Sequence, residues 1–197
     1  MKAILLCAGR GERMMPLTAK TPKPLLKVNG KCLIDYVLNS LPKEIDEIII
    51  VVDYLGDKIK KHVGKEYGGW GGIKVKYVKG SNKGNAYSFL ATRKYLKDEK
   101  FLLIYGDETP HPENVRRCTT KVLSILLFKS RFCNTWLKDG VMVLNTDIFN
   151  YKPNTVDFKD LVDAFVLDHK VKMVKAKGFM GEINTPEDIK RVERLNG

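Results

Sequence analysis

Cysteine and histidine are scarce in this chain, with four of the first and three of the second in 197 residues. Cys7, Cys32, Cys118 and Cys133 form no C-x-x-C pair and no repeating spacing, so neither a zinc site nor a disulfide framework is indicated. Cys7 lies in an apolar run and reads as core, the other three as ordinary free thiols. His62, His111 and His169 are scattered, which suggests neither a metal-ligand pattern nor histidine catalysis. Long apolar runs are missing too. Nothing approaches the roughly 18 consecutive apolar residues of a membrane span, and Ile4-Leu5-Leu6 is too short for a signal-peptide core. A cytoplasmic protein without membrane insertion is expected. Acid is the remaining shortage: 23 Asp and Glu face 35 Lys and Arg, a net charge of +12.

That excess is not spread evenly. Residues 1–34 carry seven cations and one acid, half of the net charge. Such a balance suits a nucleic-acid binder or an enzyme of polyanionic small molecules. No RNA-recognition motif, zinc finger or basic-region helix is present, so the small-molecule reading is preferred and no nucleic-acid partner is expected. The lysines at 58, 60 and 61 and at 74, 76 and 79 read as solvated faces. Hydrophobic residues at 44% and charged residues at 29% describe a soluble globular protein, and repeats, Pro/Ser linkers and low-complexity segments are absent. A single domain over 1–197 is expected.

Strand and helix patterns alternate. Ala3–Cys7, residues 47–53 and Phe101–Tyr105 are buried strands, apolar without alternation as in parallel sheets. Ile73–Val78 alternates and reads as an edge strand, after a glycine-rich turn at 68–72. Helical spacing marks 33–41, 56–63, 84–96, 115–121 and 157–169; further strands are expected over 123–128 and 140–144. Thr185, Pro186 and Asp188 form a capping-box-like start to a last helix. The β-α-β rhythm predicts an α/β fold with a mostly parallel sheet and right-handed crossovers. Ligands collect at the carboxyl ends of such strands, where both the 9–13 loop and Gly106-Asp107 fall.

The segment after the first strand, Ala8-Gly-Arg-Gly-Glu-Arg-Met-Met-Pro-Leu-Thr-Ala-Lys-Thr-Pro-Lys-Pro-Leu-Leu26, carries the chemistry. Gly9 and Gly11 lack a Cβ that would keep an anion from backbone N–H groups. Arg10, Arg13, Lys20 and Lys23 fall within fourteen residues, opposed by Glu12 alone. That supplies the donors and charge a triphosphate needs. A dinucleotide-binding fingerprint is disfavoured, because Met14 stands where its third glycine belongs.

Pro16-Leu17-Thr18 followed by Pro22-Lys23-Pro24-Leu25 resembles the signature of the sugar-1-phosphate nucleotidyltransferases, and weaker resemblance continues down the chain. The resemblance implies a three-layer, Rossmann-like (GT-A-like) α/β fold, and Mg²⁺-dependent transfer of a nucleotidyl group from an NTP to a sugar 1-phosphate. It implies Ala8, Gly9, Gly11, Arg13, Gly84 and Asn85 as nucleotide contacts. Arg13 matches the arginine that holds the β- and γ-phosphates. Lys23, stiffened by prolines on both sides, matches the lysine at the α-phosphate or sugar phosphate. Asp107 matches a metal ligand, with Glu182 and Asn184 as the late metal-side pair; Glu108 is expected to point elsewhere. Lys129, Asn134 and Gly140 fall where sugar-phosphate contacts lie, in a half that is short for the family and lacks its Glu-Lys-Pro context. A cytidylyltransferase acting on phosphocholine or an inositol phosphate, and a non-catalytic nucleotide-binding homologue, stay open beside the main reading. The oligomeric state is open as well, a homodimer among the options.

Overall fold

The computed structural model describes residues 1–67, 72–129, 136–152, 156–177 and 183–196. In chain order its elements are β1 (Lys2–Cys7), a small hairpin of β2 (Lys27–Val28) and β3 (Lys31–Cys32), α1 (Leu33–Ser40), β4 (Glu47–Val52), α2 (Gly56–Tyr67) and β5 (Lys74–Lys79). There follow α3 (Asn85–Leu90), β6 (Lys100–Tyr105), α4 (Pro112–Thr119), β7 (Ser124–Lys129), β8 (Trp136–Asn145), α5 (Phe158–Asp168), β9 (Lys172–Lys175) and α6 (Pro186–Asn196). Seven strands form one sheet in the order β5-β4-β1-β6-β8-β7-β9. Every strand runs parallel except β8, which is antiparallel to both neighbours. The mostly parallel sheet is as expected, and β5 is indeed an edge strand.

Successive residues of a strand face opposite sides of a sheet. Here both sides are covered. Ala3, Leu5 and Cys7 of β1, Ile48, Ile50 and Val52 of β4, and Leu102 and Ile104 of β6 meet α1, α2 and α4 through Val37, Ile59 and Val115. Ile4, Leu6, Ile49, Val51, Phe101 and Leu103 meet α3 and α5 through Phe89, Phe158 and Phe165 on the other side. Phe89 stacks on Phe149 at 4.8 Å and tilts against Phe158 at 4.6 Å, which fills that layer with rings. The outcome is a three-layer α/β fold, and the unbroken apolar runs of β1, β4 and β6 follow from burial on both faces.

The structure departs from the sequence reading at three elements. The helix expected over 84–96 ends at Leu90, and a separate 3₁₀ turn covers Arg93–Tyr95. Thr92 is fully buried, and both its amide and its hydroxyl donate to the Phe89 carbonyl, at 2.9 and 2.7 Å, which replaces the α-helical ladder. β8 starts before Gly140 and carries a register irregularity opposite Ile125 and Leu127. β9, with three of its four residues exposed and partly apolar, has too weak a pattern to be read in advance.

A small third cluster holds the C-terminal helix. Ile183 and Val192 pack with Met14, Leu26, Val28 and Leu33. The Asp188 half of the expected capping pattern forms: Asp188 Oδ2 accepts from the amides of Asn184 and Thr185, each at 2.8 Å, while the Asp188 amide donates to the Thr185 carbonyl at 3.0 Å. The start of α6 is thereby fastened beside the loop that follows β1.

Candidate active site

Strand register decides what meets what. Leu6 is level with Tyr105 of β6, and Cys7 with Val52 of β4. Extending each pairing sets Ala8 beside Asp107 and Asp53. The parallel strands run in the order β5-β4-β1-β6, so chain direction across the sheet reverses between β1 and β6. Connections diverge to either side there and leave a crevice at the strand ends. A cleft of about 1410 Å³ opens at this place, lined by Ala8 to Met14, Lys23, Asp107 and Asn184 among others.

Lys23 is the centre of its floor. The side chain is buried, and Nζ lies 2.5 Å from Asp107 Oδ2 and donates to Asn184 Oδ1 at 3.3 Å. Arg13 Nη2 donates to the same Asn184 oxygen at 3.0 Å. Four residues from three distant parts of the chain, Arg13 and Lys23, Asp107, and Asn184, therefore meet in one hydrogen-bonded group. The carboxylate of Asp107 and the amide oxygen of Asn184 converge on one ammonium cation. That donor set suits Mg²⁺, which takes one or two protein oxygens and completes its shell with water and phosphate. Glu182, the other residue proposed for the metal, lies outside the described residues.

The loop is tied down at several points. Gly11 has φ +65, and a Cβ there would stand 3.0 Å from Thr18 Cγ2 and 3.1 Å from Lys23 Cβ. Gly11 thus serves the packing of Lys23 and Thr18, whereas nothing lies within 4 Å of a Cβ built at Gly9. Thr18 Oγ1 donates to the Gly11 carbonyl at 2.9 Å. The Tyr54 hydroxyl reaches the carbonyls of Thr18 and Ala19 at 2.9 and 3.1 Å, and Lys58 Nζ donates to that of Lys20 at 2.5 Å. The Arg10 guanidinium lies over the Tyr54 ring, 5.3 Å from its centre. The sequence does not single out Tyr54, although its place just past a parallel strand obeys the rule that selected Asp107.

Beneath the loop, burial and then the charge of Asp107 push the Cys7 thiol far above its ordinary range, which leaves it protonated and inert. At α6, burial alone would raise the Asp188 carboxyl. The amides of Asn184 and Thr185, with Arg191, outweigh that effect and hold it below the usual carboxylate range.

Gly84 and Asn85 line the cleft at the start of α3. Asn85 Oδ1 accepts from the Phe158 amide at 2.6 Å and Nδ2 donates to Asp157 at 3.3 Å, so this side chain joins α3 to α5. Ser88 holds the preceding turn: its hydroxyl accepts from the Ser81 amide at 2.9 Å and donates to the Gly84 carbonyl at 3.0 Å. Across the cleft, Gly140 lies against the Tyr105 ring, in the space a Cβ would need. Glu108, expected to point elsewhere, lines the cleft here because Gly140 leaves room for its carboxylate. Lys138, paired with Asp163, and Lys159 add charge to this wall, none of it anticipated from the sequence. Lys129 ends β7, one residue beyond Phe128 of the cleft lining; Asn134 and residues 68–71 lie outside the described residues.

An open, mostly parallel sheet with a cationic glycine loop at its switch point is a nucleotide-handling architecture. The chain belongs to the nucleotidyl transferase family, whose model matches residues 2–121. It is 25% identical over 221 residues to the bifunctional protein GlmU of Methanocaldococcus jannaschii, covering 96% of this chain and 52% of that protein. The chain thus spans about half the length of the curated relatives it matches at full coverage. It is 32% identical over 109 residues to the UTP–glucose-1-phosphate uridylyltransferase AglF of Haloferax volcanii, covering 54% of this chain and 43% of the other. In fold it is similar to the inositol-1-phosphate CTP transferase from T. maritima, with TM-score 0.81 and 20% identity over 99% of this chain and 94% of that one. Among the described residues, no helix is long and apolar enough to cross a membrane.

Proposed function

We propose that this protein transfers a nucleotidyl group from an NTP to a sugar 1-phosphate, with Mg²⁺, and releases pyrophosphate. The observation that carries the reading is the meeting of Arg13, Lys23, Asp107 and Asn184 at the floor of the cleft. The acceptor's phosphate oxygen attacks the α-phosphorus in line; its new P–O bond forms as the bond to the β-phosphate oxygen breaks. Both electrons of that bond leave with pyrophosphate. No general base is required, because the second ionisation of a phosphate monoester lies near pH 6. Catalysis is then positioning and charge neutralisation. Lys23 offsets charge at the α-phosphate, Arg13 holds the outgoing phosphates, and the amides of the tied-down loop orient them. Asp107 and Asn184 would hold Mg²⁺, which supplies Lewis-acid stabilisation of the phosphate oxygens.

A second reading, cytidylyl transfer to a polyol or amino-alcohol phosphate, is favoured by the fold similarity to the inositol-phosphate enzyme. The carboxylates of Glu108, Asp157 and Asp163 in the cleft lining, with Lys138 and Lys159, suit hydroxyl-rich or amine-bearing acceptors alike. One assay tests both: pyrophosphate release with each NTP against a panel of sugar 1-phosphates, phosphocholine and inositol 1-phosphate. Release with a sugar 1-phosphate supports the first reading, and release only with CTP and an alcohol phosphate supports the second. Nucleotide binding without any release overturns both and leaves the non-catalytic homologue.

A further inference from the structure

Outside the cleft, one side-chain cluster has no part in the chemistry above. Cys32 closes β3 and precedes α1, Asp35 lies in the first turn of α1, and His62 belongs to α2. Their ligand atoms, one each, all lie within 4.8 Å of one another, and no other such group of three occurs among the described residues. None of the three lines the cleft. His62 Nε2 is 2.8 Å from Asp35 Oδ1, and the Tyr67 hydroxyl is 3.1 Å from the same oxygen. Although Cys32 occupies the capping position of α1, its thiol makes no capping hydrogen bond. Cys32 is buried, while the side chains of His62 and Asp35 keep 21% and 14% of their surface exposed. Protein thus closes one side of the cluster, and water reaches the other.

We propose that Cys32, Asp35 and His62 form a binding site for a zinc-type divalent ion that fastens α1 to α2. The ligand chemistry selects the ion. A thiolate, an imidazole and a carboxylate suit borderline Zn²⁺, whereas Mg²⁺ takes oxygen alone. Tetrahedral zinc needs ligand atoms about 3.5 Å apart, given bonds of roughly 2.0 to 2.3 Å. The observed separations bracket that value, from 2.8 Å between His62 Nε2 and Asp35 Oδ1 to at most 4.8 Å across the group. Three protein ligands leave a fourth position for water on the exposed side. The site also has a structural reason to matter to the cleft. α1 packs on the turn Lys23–Leu25, and the Leu33 amide donates to the Leu26 carbonyl at 3.0 Å. An ion there would brace the segment carrying Lys23 from behind. This site is independent of the nucleotidyl-transfer reading.

The test is a Co²⁺ titration of the full chain after chelator treatment, followed by absorption spectroscopy. One equivalent should produce tetrahedral ligand-field bands and a thiolate-to-cobalt charge-transfer band, both bleached by Zn²⁺. Cys32→Ser should lose the charge-transfer band, His62→Gln should bind about 100-fold more weakly, and Cys133→Ser should match the unaltered protein. Zn²⁺ at about a hundred times its Kd should raise Tm by roughly 5–10 °C in the unaltered protein and not in Cys32→Ser. Circular dichroism verifies that each variant folds, and His62→Gln carries the test should Cys32→Ser not fold. Absence of a charge-transfer band in the unaltered protein, or its survival in both Cys32→Ser and His62→Gln, overturns the proposal.

Discussion

The two sides of the cleft are built on different principles. The side made by the β1 loop, Lys23 and the end of β6 rests on parallel strands buried on both faces; its backbone amides and cations come from one short segment, with the Asp107 carboxylate added from the end of β6. The far side comes from β7, β8 and α5, where one strand is reversed, the register is irregular, and Lys138, Lys159, Asp157 and Asp163 mix both signs of charge. Phosphate is recognised by charge and by N–H groups that every residue but proline carries, so a short, rigid motif suffices. An acceptor with many hydroxyls must be recognised by individual side chains in particular places. The first task leaves a compact trace in a sequence and the second a dispersed one.

If that division is real, damage to each side should be separable in kinetics. The largest effect is expected from Lys23→Ala or Asp107→Asn, which should lower turnover by about 10²–10³-fold with the circular-dichroism spectrum retained. Near-normal pyrophosphate release in either variant would remove that residue from the chemistry. Gly11→Ala should come next. It forces a side chain into a left-handed conformation and against Thr18 and Lys23, at a cost of about 1–2 kcal/mol. Its KM for NTP should rise far more than its KM for the acceptor.

Gly140→Ala offers the mirror image, since its methyl group meets the Tyr105 ring. Acceptor KM should rise with NTP KM little changed, and stability should fall by about 1–3 kcal/mol. Equal effects on both substrates would mean that the two sides do not act separately.

The smallest expected effect concerns Asp188, whose amide hydrogen bonds hold its carboxyl below the usual range. Its contribution, about 1 kcal/mol, is fully present above the unfolded value near pH 3.9. It is lost as pH falls through the lower folded value. Urea midpoints of the unaltered protein and Asp188→Ala should therefore differ at pH 6 and converge on acidification towards pH 3. A gap that does not narrow would show that the capping carboxylate is not the source.

These contrasts also mark how far the sequence could be read. β1, β4 and β6 were legible because double-sided burial leaves apolar runs with no alternation to misread. The break in the helix expected over 84–96 was not, because it follows from burial of the single hydroxyl of Thr92. Glu108 entered the cleft because a glycine from another strand made room beside it. Tyr54 acts through hydrogen bonds to carbonyls 35 and 36 positions away, which no local pattern records.

By itself the sequence determined the α/β class and the glycine loop with its cations, and nominated Lys23 and Asp107 for the candidate site, because glycines, charges and apolar runs act over a few consecutive residues. Tertiary structure decided the rest. It brought Asn184 to Lys23 across 161 positions and set Gly140 against Tyr105. It also turned three unremarkable residues, Cys32, Asp35 and His62, into neighbours. Those meetings depend on strand order and on which helix faces pack together, and local periodicity carries neither.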